Sequence, residues 1–201
     1  MIFYEPHQRD RNFLPHDPFK AMVLPRPVGW ISTVSAKGEV NLAPYSFFNA
    51  FSSAPPIVGF SSEGEKDSST FAMETGEFVW SMATFALRDE MNATAASLPR
   101  GQSEFLHARL ETAPSRLVRA PRVKASPAAL ECRVTEMVRL KDVDGSDTGR
   151  RVVLGRVIGV HLDERFVKNG RLDAAAMQPI ARGGYDEYSV VERVFTMPRP
   201  A

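Results

Sequence analysis

Pro25-Arg26-Pro27-Val28-Gly29-Trp30-Ile31-Ser32-Thr33 and Asn41-Leu42-Ala43-Pro44-Tyr45-Ser46-Phe47-Phe48-Asn49, joined through Ala36-Lys37-Gly38, form the stretch on which the fold turns. Val28 to Ser35 is rich in β-branched and aromatic residues and predicts a strand; Val40 and Leu42 begin its return, which Pro44 soon interrupts. Ala43 to Pro56 then follows neither a strand nor a helix period. Its four rings, Tyr45, Phe47, Phe48 and Phe51, interleave with Ser46, Asn49, Ser52 and Ser53. Rings that cover a ligand and polar groups that orient it make one reading of this pattern. A buried connector with satisfied serines makes the other.

Next along the chain, Ile57 to Ser61 predicts a short buried strand, and Ser62-Glu63-Gly64-Glu65 a turn. Asp67 or Ser68 then caps a helix that runs to Thr75 and stops at Gly76. A helix start carries unpaired N–H groups at a positive dipole end, and Lys66, Ser68 and Ser69 add a cation and two hydroxyls. The same residues suit a phosphate cradle or an ordinary capped surface helix.

Towards the N-terminus, Pro6, Pro15 and Pro18 exclude a long element, leaving a short helical turn in Phe19 to Leu24. Towards the C-terminus come a strand over Glu77 to Ala83 and a helix from Leu87 to Leu98, stopped by Pro99. Residues 99 to 127 predict an excursion over the body, with a short helix at Ser103 to Ala108. Ala128 to Leu140 and Arg151 to Leu162 form a hairpin about the polar loop Asp142 to Gly149, and Asp173 to Met177 a further helical turn. About six antiparallel strands with a few short helices predict a mainly β, closed or half-closed barrel. Residues 1 to 201 read as one domain, with its core over about 20 to 185.

Composition narrows the function. Lys and Arg total 25 against 24 Asp and Glu, so nothing electrostatic favours nucleic acid or an acidic membrane. Cys132 is the only cysteine, which excludes an intrachain disulfide and suits a reducing compartment. Met1 to Asp10 lacks a signal-peptide pattern, and no apolar run approaches the ~20 residues of a membrane helix; a cytoplasmic protein is expected. Walker, Gly-x-Gly-x-x-Gly and Gly-x-Ser-x-Gly patterns are absent, and His7, His16, His107 and His161 lack zinc spacing, so no metal is expected. Cys132 reads as a buried structural thiol, and His161 as either a satisfied strand residue or a ligand contact and candidate catalytic group.

Taken together, the Pro25–Thr33 and Asn41–Asn49 segments, Pro55-Pro56 and Lys66-Asp67-Ser68 resemble the flavin reductase-like, FMN-binding split-barrel family that includes flavoredoxins. Met91-Asn92-Ala93-Thr94, Leu130-Glu131-Cys132, Leu154-Gly155-Arg156-Val157 and His161 continue the likeness. The resemblance implies a six-stranded antiparallel Greek-key split barrel, a homodimer, and FMN near the subunit interface. It places Thr33 and Asn41 by the isoalloxazine or ribityl chain. Ala43, Ser46, Phe47, Phe48 and Asn49 would wrap the ring, their main-chain N–H groups serving as donors. Ser61 or Ser62 would hold the phosphate with Lys66, Asp67 and Ser68. Arg26, Trp30, Arg182 and Tyr185 would lie near the ring or come from the partner.

The implied activity is that of an oxidoreductase passing hydride or electrons from NAD(P)H or a redox protein, through FMN, to a flavin, a protein or a small oxidant. The alternative is a non-catalytic FMN carrier of flavoredoxin type, reduced by a partner protein. One departure bears on this choice. Short-chain NAD(P)H:flavin reductases of the superfamily carry Gly-Asp-His before the last hairpin strand, where this chain has Gly149-Arg150-Arg151.

Overall fold

The computed structural model describes residues 1–99 and 101–200, and its main body is one antiparallel sheet of seven strands. These are β1 (Gly29–Val34), β2 (Val40–Tyr45), β3 (Phe48–Ser53), β4 (Pro56–Glu63), β5 (Glu77–Ser81), β6 (Ala128–Lys141) and β7 (Asp147–Leu162). Their spatial order is β2-β1-β5-β6-β7-β4-β3. The mainly β antiparallel barrel expected from the sequence is therefore present. The seventh strand is β3, in the segment whose period had pointed to neither strand nor helix. A register shift between Ala50 and Ser52 explains this, because a bulge breaks the two-residue alternation.

Connectivity forces the sheet to close. β2 and β3 are its two outer edges, yet only Ser46 and Phe47 separate Tyr45 from Phe48. Three Cα–Cα steps of ~3.8 Å span at most about 11 Å, so the sheet must curl until its edges meet. The edges are joined by the chain and not by a hydrogen-bonded ladder, which makes the barrel split along this seam. Gly29 sits at the seam: a Cβ there would stand 2.7 Å from Phe48 Cβ. Pro44 is tolerated because β2 is an edge strand and need not donate on its free side.

Inside the barrel, Ile31, Phe60, Phe78, Cys132 and Val153 form the central apolar cluster, with Phe60 edge-on to Phe78 at 5.4 Å. The helices are α1 (Phe19–Met22), α2 (Asp67–Thr75), α3 (Arg88–Ala93), α4 (Glu104–His107) and α5 (Ala174–Met177). Of these, α2 covers β1 and stops at Gly76 as expected. The helix expected to reach Leu98 ends at Ala93, where Thr94 turns its hydroxyl onto the Met91 carbonyl and accepts the Trp30 indole N–H. The excursion from 99 holds α4 and a ribbon of Thr112–Ala113 with Arg122–Val123; its residue 100 lies outside the described residues. Near the C-terminus, Ile180–Arg182 pairs with both Arg26–Pro27 and Tyr188–Val190. No helix among the described residues is long and apolar enough to cross a membrane.

Candidate functional site

The seam opens into a cleft of about 690 Å³, within the ~300–1,000 Å³ range of small-molecule sites. Met22 to Pro27 form one wall; Ser46, Phe47, Phe48, Asn49, Phe51 and Ser61 form the other, and Leu140 and Val152 reach in from the β6–β7 hairpin. The Ser61 N–H is paired with the Phe47 carbonyl at 2.8 Å, which fixes the cleft floor to the seam. The main-chain N–H groups of Ser46 and Phe47 have no acceptor among the described residues. Two donors thus stand free beside three rings.

At Ser46 and Arg26 this cleft adjoins a second one, of about 230 Å³, lined also by Lys20, Arg182, Tyr185 and Tyr188. Arg26, only 7% exposed, holds the junction. Its guanidinium donates to the carbonyls of Lys20, Val23 and Gly183, the last at 2.6 Å, and its charge lies 6.0 Å from the Phe47 ring centre. Its Nε is buried without a partner. Burial lowers the Arg26 pKa, and the nearby Arg182 charge adds to the effect. On the far side, Gly184 lies so close to α1 that a Cβ would stand 2.4 Å from Ala21 Cβ. Arg182 donates to the Tyr185 carbonyl and to Asp186 and stacks 4.6 Å from the Tyr188 ring centre.

Of the residues expected around a ligand, Ser46, Phe47, Phe48, Asn49 and Ser61 meet in the larger cleft, and Arg182 and Tyr185 in its neighbour. Trp30, Thr33 and Asn41 line neither. β1 lies between β2 and β5 under α2 and every one of its residues is buried, so Trp30 and Thr33 belong to the interior. Asn41 instead belongs to a buried polar network. Its amide donates to Glu104 at 3.2 Å and accepts from Ser68 at 2.5 Å, while Glu104 also accepts the Leu42 N–H at 3.0 Å. Burial raises the pKa of the Tyr45 phenol, and the hydroxyls of Ser68 and Ser62 oppose the rise.

Ser61 and Ser62 divide as neighbours in a strand do, Ser61 towards the cleft and Ser62 into the interior. Ala43 packs half-buried against the central cluster. Lys66 and Asp67 stand at the start of α2, outside both clefts. Arg150 and Arg151 are hairpin side chains paired with Glu63 at 3.1 Å and Glu65 at 3.7 Å. Cys132 is fully buried, and burial, with the Glu131 charge beside it, raises its thiol pKa; such a thiol is inert.

His161 lies outside both clefts, bonded to Glu131 at 2.5 Å. Nine residue steps along the strand separate it from Val152 in the cleft wall, up to about 30 Å of extended chain. Sequence reasoning missed Glu104, whose partner Asn41 is 63 residues away, and the Met22–Pro25 wall, whose apolar run looked like ordinary packing. No group of three or more metal-ligating side chains occurs among the described residues.

Residues 21–176 match the family model of the flavin reductase like domain. The chain belongs to this family. The uncharacterized protein YwrF of Bacillus subtilis (strain 168) is 34% identical over 185 residues, covering 89% of this chain and 90% of its own. Nitrilotriacetate monooxygenase component B from Bacillus cereus has a crystal structure that superposes with a TM-score of 0.88 at 29% identity, covering 98% of both chains. Flavoredoxin of Desulfovibrio vulgaris (Miyazaki F), at 19% identity and a TM-score of 0.77, covers 87% of this chain and 91% of its own and is a likeness of fold. The family match ends before Arg182 and Tyr185, so the tail that closes the smaller cleft lies beyond it.

Proposed function

We propose that this member of the family is a flavin-dependent oxidoreductase that holds FMN in the cleft at the barrel seam. It would pass electrons from a reduced donor to a flavin, a protein or a small oxidant. The observation that carries this reading is the pair of unpartnered N–H groups at Ser46 and Phe47 beside the rings of Phe47, Phe48 and Phe51. A flat heteroaromatic system needs an apolar enclosure and a few fixed donors along its polar edge, and the seam supplies both. Ser61 on the floor is the hydroxyl partner of the phosphate in this reading, and Lys66, at the start of α2 and outside the cleft, is the cation towards which the phosphate tail would extend. A bound flavin supplies the hydride and electron chemistry. The chain's part is to bind it, orient it through main-chain donors, and keep water from its face with Phe47, Phe51 and the Met22–Pro25 wall.

A second copy of the chain would complete this wall. Met22, Val23, Leu24, Phe47, Phe51 and Leu140 are all exposed around one cleft, which supports a homodimer with its interface beside the flavin. One observation favours a second reading, that of an electron carrier reduced by a partner protein. Arg150 and Arg151, standing where short-chain reductases of the superfamily carry Gly-Asp-His, are engaged with Glu63 and Glu65. Anaerobic mixing of the FMN-loaded protein with NADH and with NADPH separates the two. Bleaching of the flavin absorbance within seconds supports the reductase. A flavin inert to both nucleotides but reduced by a redox protein supports the carrier, and a protein that binds no FMN overturns both.

A further inference from the structure

At the opposite end of the β6–β7 hairpin lies a separate cleft of about 470 Å³, roofed by the excursion and floored by the end of β7. Six of its side chains ionise: Arg116, Arg122, Lys124, Glu131, His161 and Asp163. The two acids are already satisfied. Glu131 is fully buried; its Oε1 accepts the Arg116 N–H at 2.7 Å and meets His161 Nε2, and its Oε2 accepts the Leu117 N–H at 2.6 Å. Asp163 is chelated by its neighbour Arg165 at 3.0 Å. Of Arg116, Arg122 and Lys124, only Lys124 has an ion-pair partner among the described residues, Glu111.

The guanidinium groups of Arg116 and Arg122 make no hydrogen bond or ion pair among the described residues, and the Arg122 Nε is a buried donor with nothing to bond. A buried, unmatched N–H on a charged fork is costly unless an acceptor arrives. With Glu131 bound to its Nε2, His161 turns its Nδ1 edge to other partners. The cleft therefore presents two unpaired guanidinium forks and an imidazole edge over a carboxylate whose two oxygens are already hydrogen-bonded. Planar guanidinium groups match the paired oxygens of phosphate and carboxylate, in geometry as well as charge.

We propose that this cleft is a second binding site, for a small molecule bearing a phosphate or carboxylate group, with Arg116 and Arg122 as its principal contacts. It is independent of the seam and of what the seam binds. The test is a titration of the full chain with inorganic pyrophosphate and, separately, with citrate, at constant ionic strength and with FMN in excess. The readouts are calorimetry and the His161 ring proton resonances. The expected result is saturable binding of at least one probe, with His161 shifts that follow the same isotherm. Arg122→Gln should weaken it about tenfold or more, as loss of a charge-assisted hydrogen bond does, while Lys66→Gln, at the other site, should not.

Pyrophosphate alone binding would assign a phosphate ligand, and citrate alone a carboxylate. Absence of saturable binding by either probe, or binding that leaves His161 unmoved, would overturn the proposal. So would binding equally strong in Arg122→Gln, provided the variant keeps the wild-type circular dichroism. Arg116→Gln serves in its place should that variant not fold.

Discussion

At Gly29 one hydrogen atom in place of a methyl group lets the two edges of the barrel meet, since Phe48 Cβ occupies the space a side chain would need. Gly29→Ala should therefore destabilise the fold by about 1–3 kcal/mol, the usual cost of overpacking, read as a lower urea midpoint; an unchanged midpoint would show that the seam is looser than described. Glu131 gives a pH-dependent counterpart. Burial by itself raises its pKa, but the bonds from His161 and the N–H groups of Arg116 and Leu117 outweigh that, and the net shift is downward from 4.5. A carboxylate with a lowered folded-state pKa adds stability that is fully present above its ordinary value and disappears as pH falls through the folded one. Stability should thus decline on acidification below about pH 4.5, and less steeply in Glu131→Gln; parallel pH curves for the two proteins would contradict this. Neither feature was legible in the sequence. Gly29 looked like any strand glycine, and Glu131 meets His161 across 30 positions that only register brings together. The burial of Cys132, by contrast, was legible from its place in an alternating strand.

Elements were read best where local chemistry decides them. α2 ends at a glycine after a polar start, and β6 and β7 alternate about a turn-rich loop, so their boundaries lay within a few residues of the expected ones. β3 was missed because its bulge hides the alternation, and α3 is short because a tertiary contact, Trp30 with Thr94, ends it before the sequence would. Trp30, expected near the ring, and Thr33, expected by the isoalloxazine or ribityl chain, occupy the interior for a similar reason: β1 is covered by α2, and a strand read alone does not show which of its faces is covered. Asn41, on β2, is held instead by Glu104 and Ser68. Glu104 ties α4 to β2 and, through Asn41 and Ser68, to the first turn of α2. Glu104→Ala leaves the buried Leu42 N–H and the Asn41 side-chain N–H unpaired, which should cost about 1–3 kcal/mol per group left unsatisfied in denaturant unfolding. Loss of less than about 0.5 kcal/mol, the range of ordinary surface changes, would mean that water replaces the carboxylate.

At the scale of the whole molecule, one group of exposed apolar residues, Met22, Val23, Leu24, Phe47 and Phe51, lies together around the seam cleft. Light scattering should give twice the 22.3 kDa chain mass, and Phe51→Asp, which places a charge in that face, should shift the protein towards one chain mass. A wild-type monomer at micromolar concentration would remove the homodimer from the proposal. On the two proposals made above, the ends of the long hairpin have different tasks, a flavin at the seam and an anion at the far end.

The most direct test is an FMN titration followed by quenching of flavin fluorescence, in wild-type protein, in Ser61→Asp and in Arg122→Gln. The prediction is saturable quenching at about one flavin per chain, weakened tenfold or more by the carboxylate that Ser61→Asp sets on the cleft floor, with Arg122→Gln indistinguishable from wild type. Equal FMN affinity in Ser61→Asp and wild type, or no quenching at all, would contradict a flavin site at the seam.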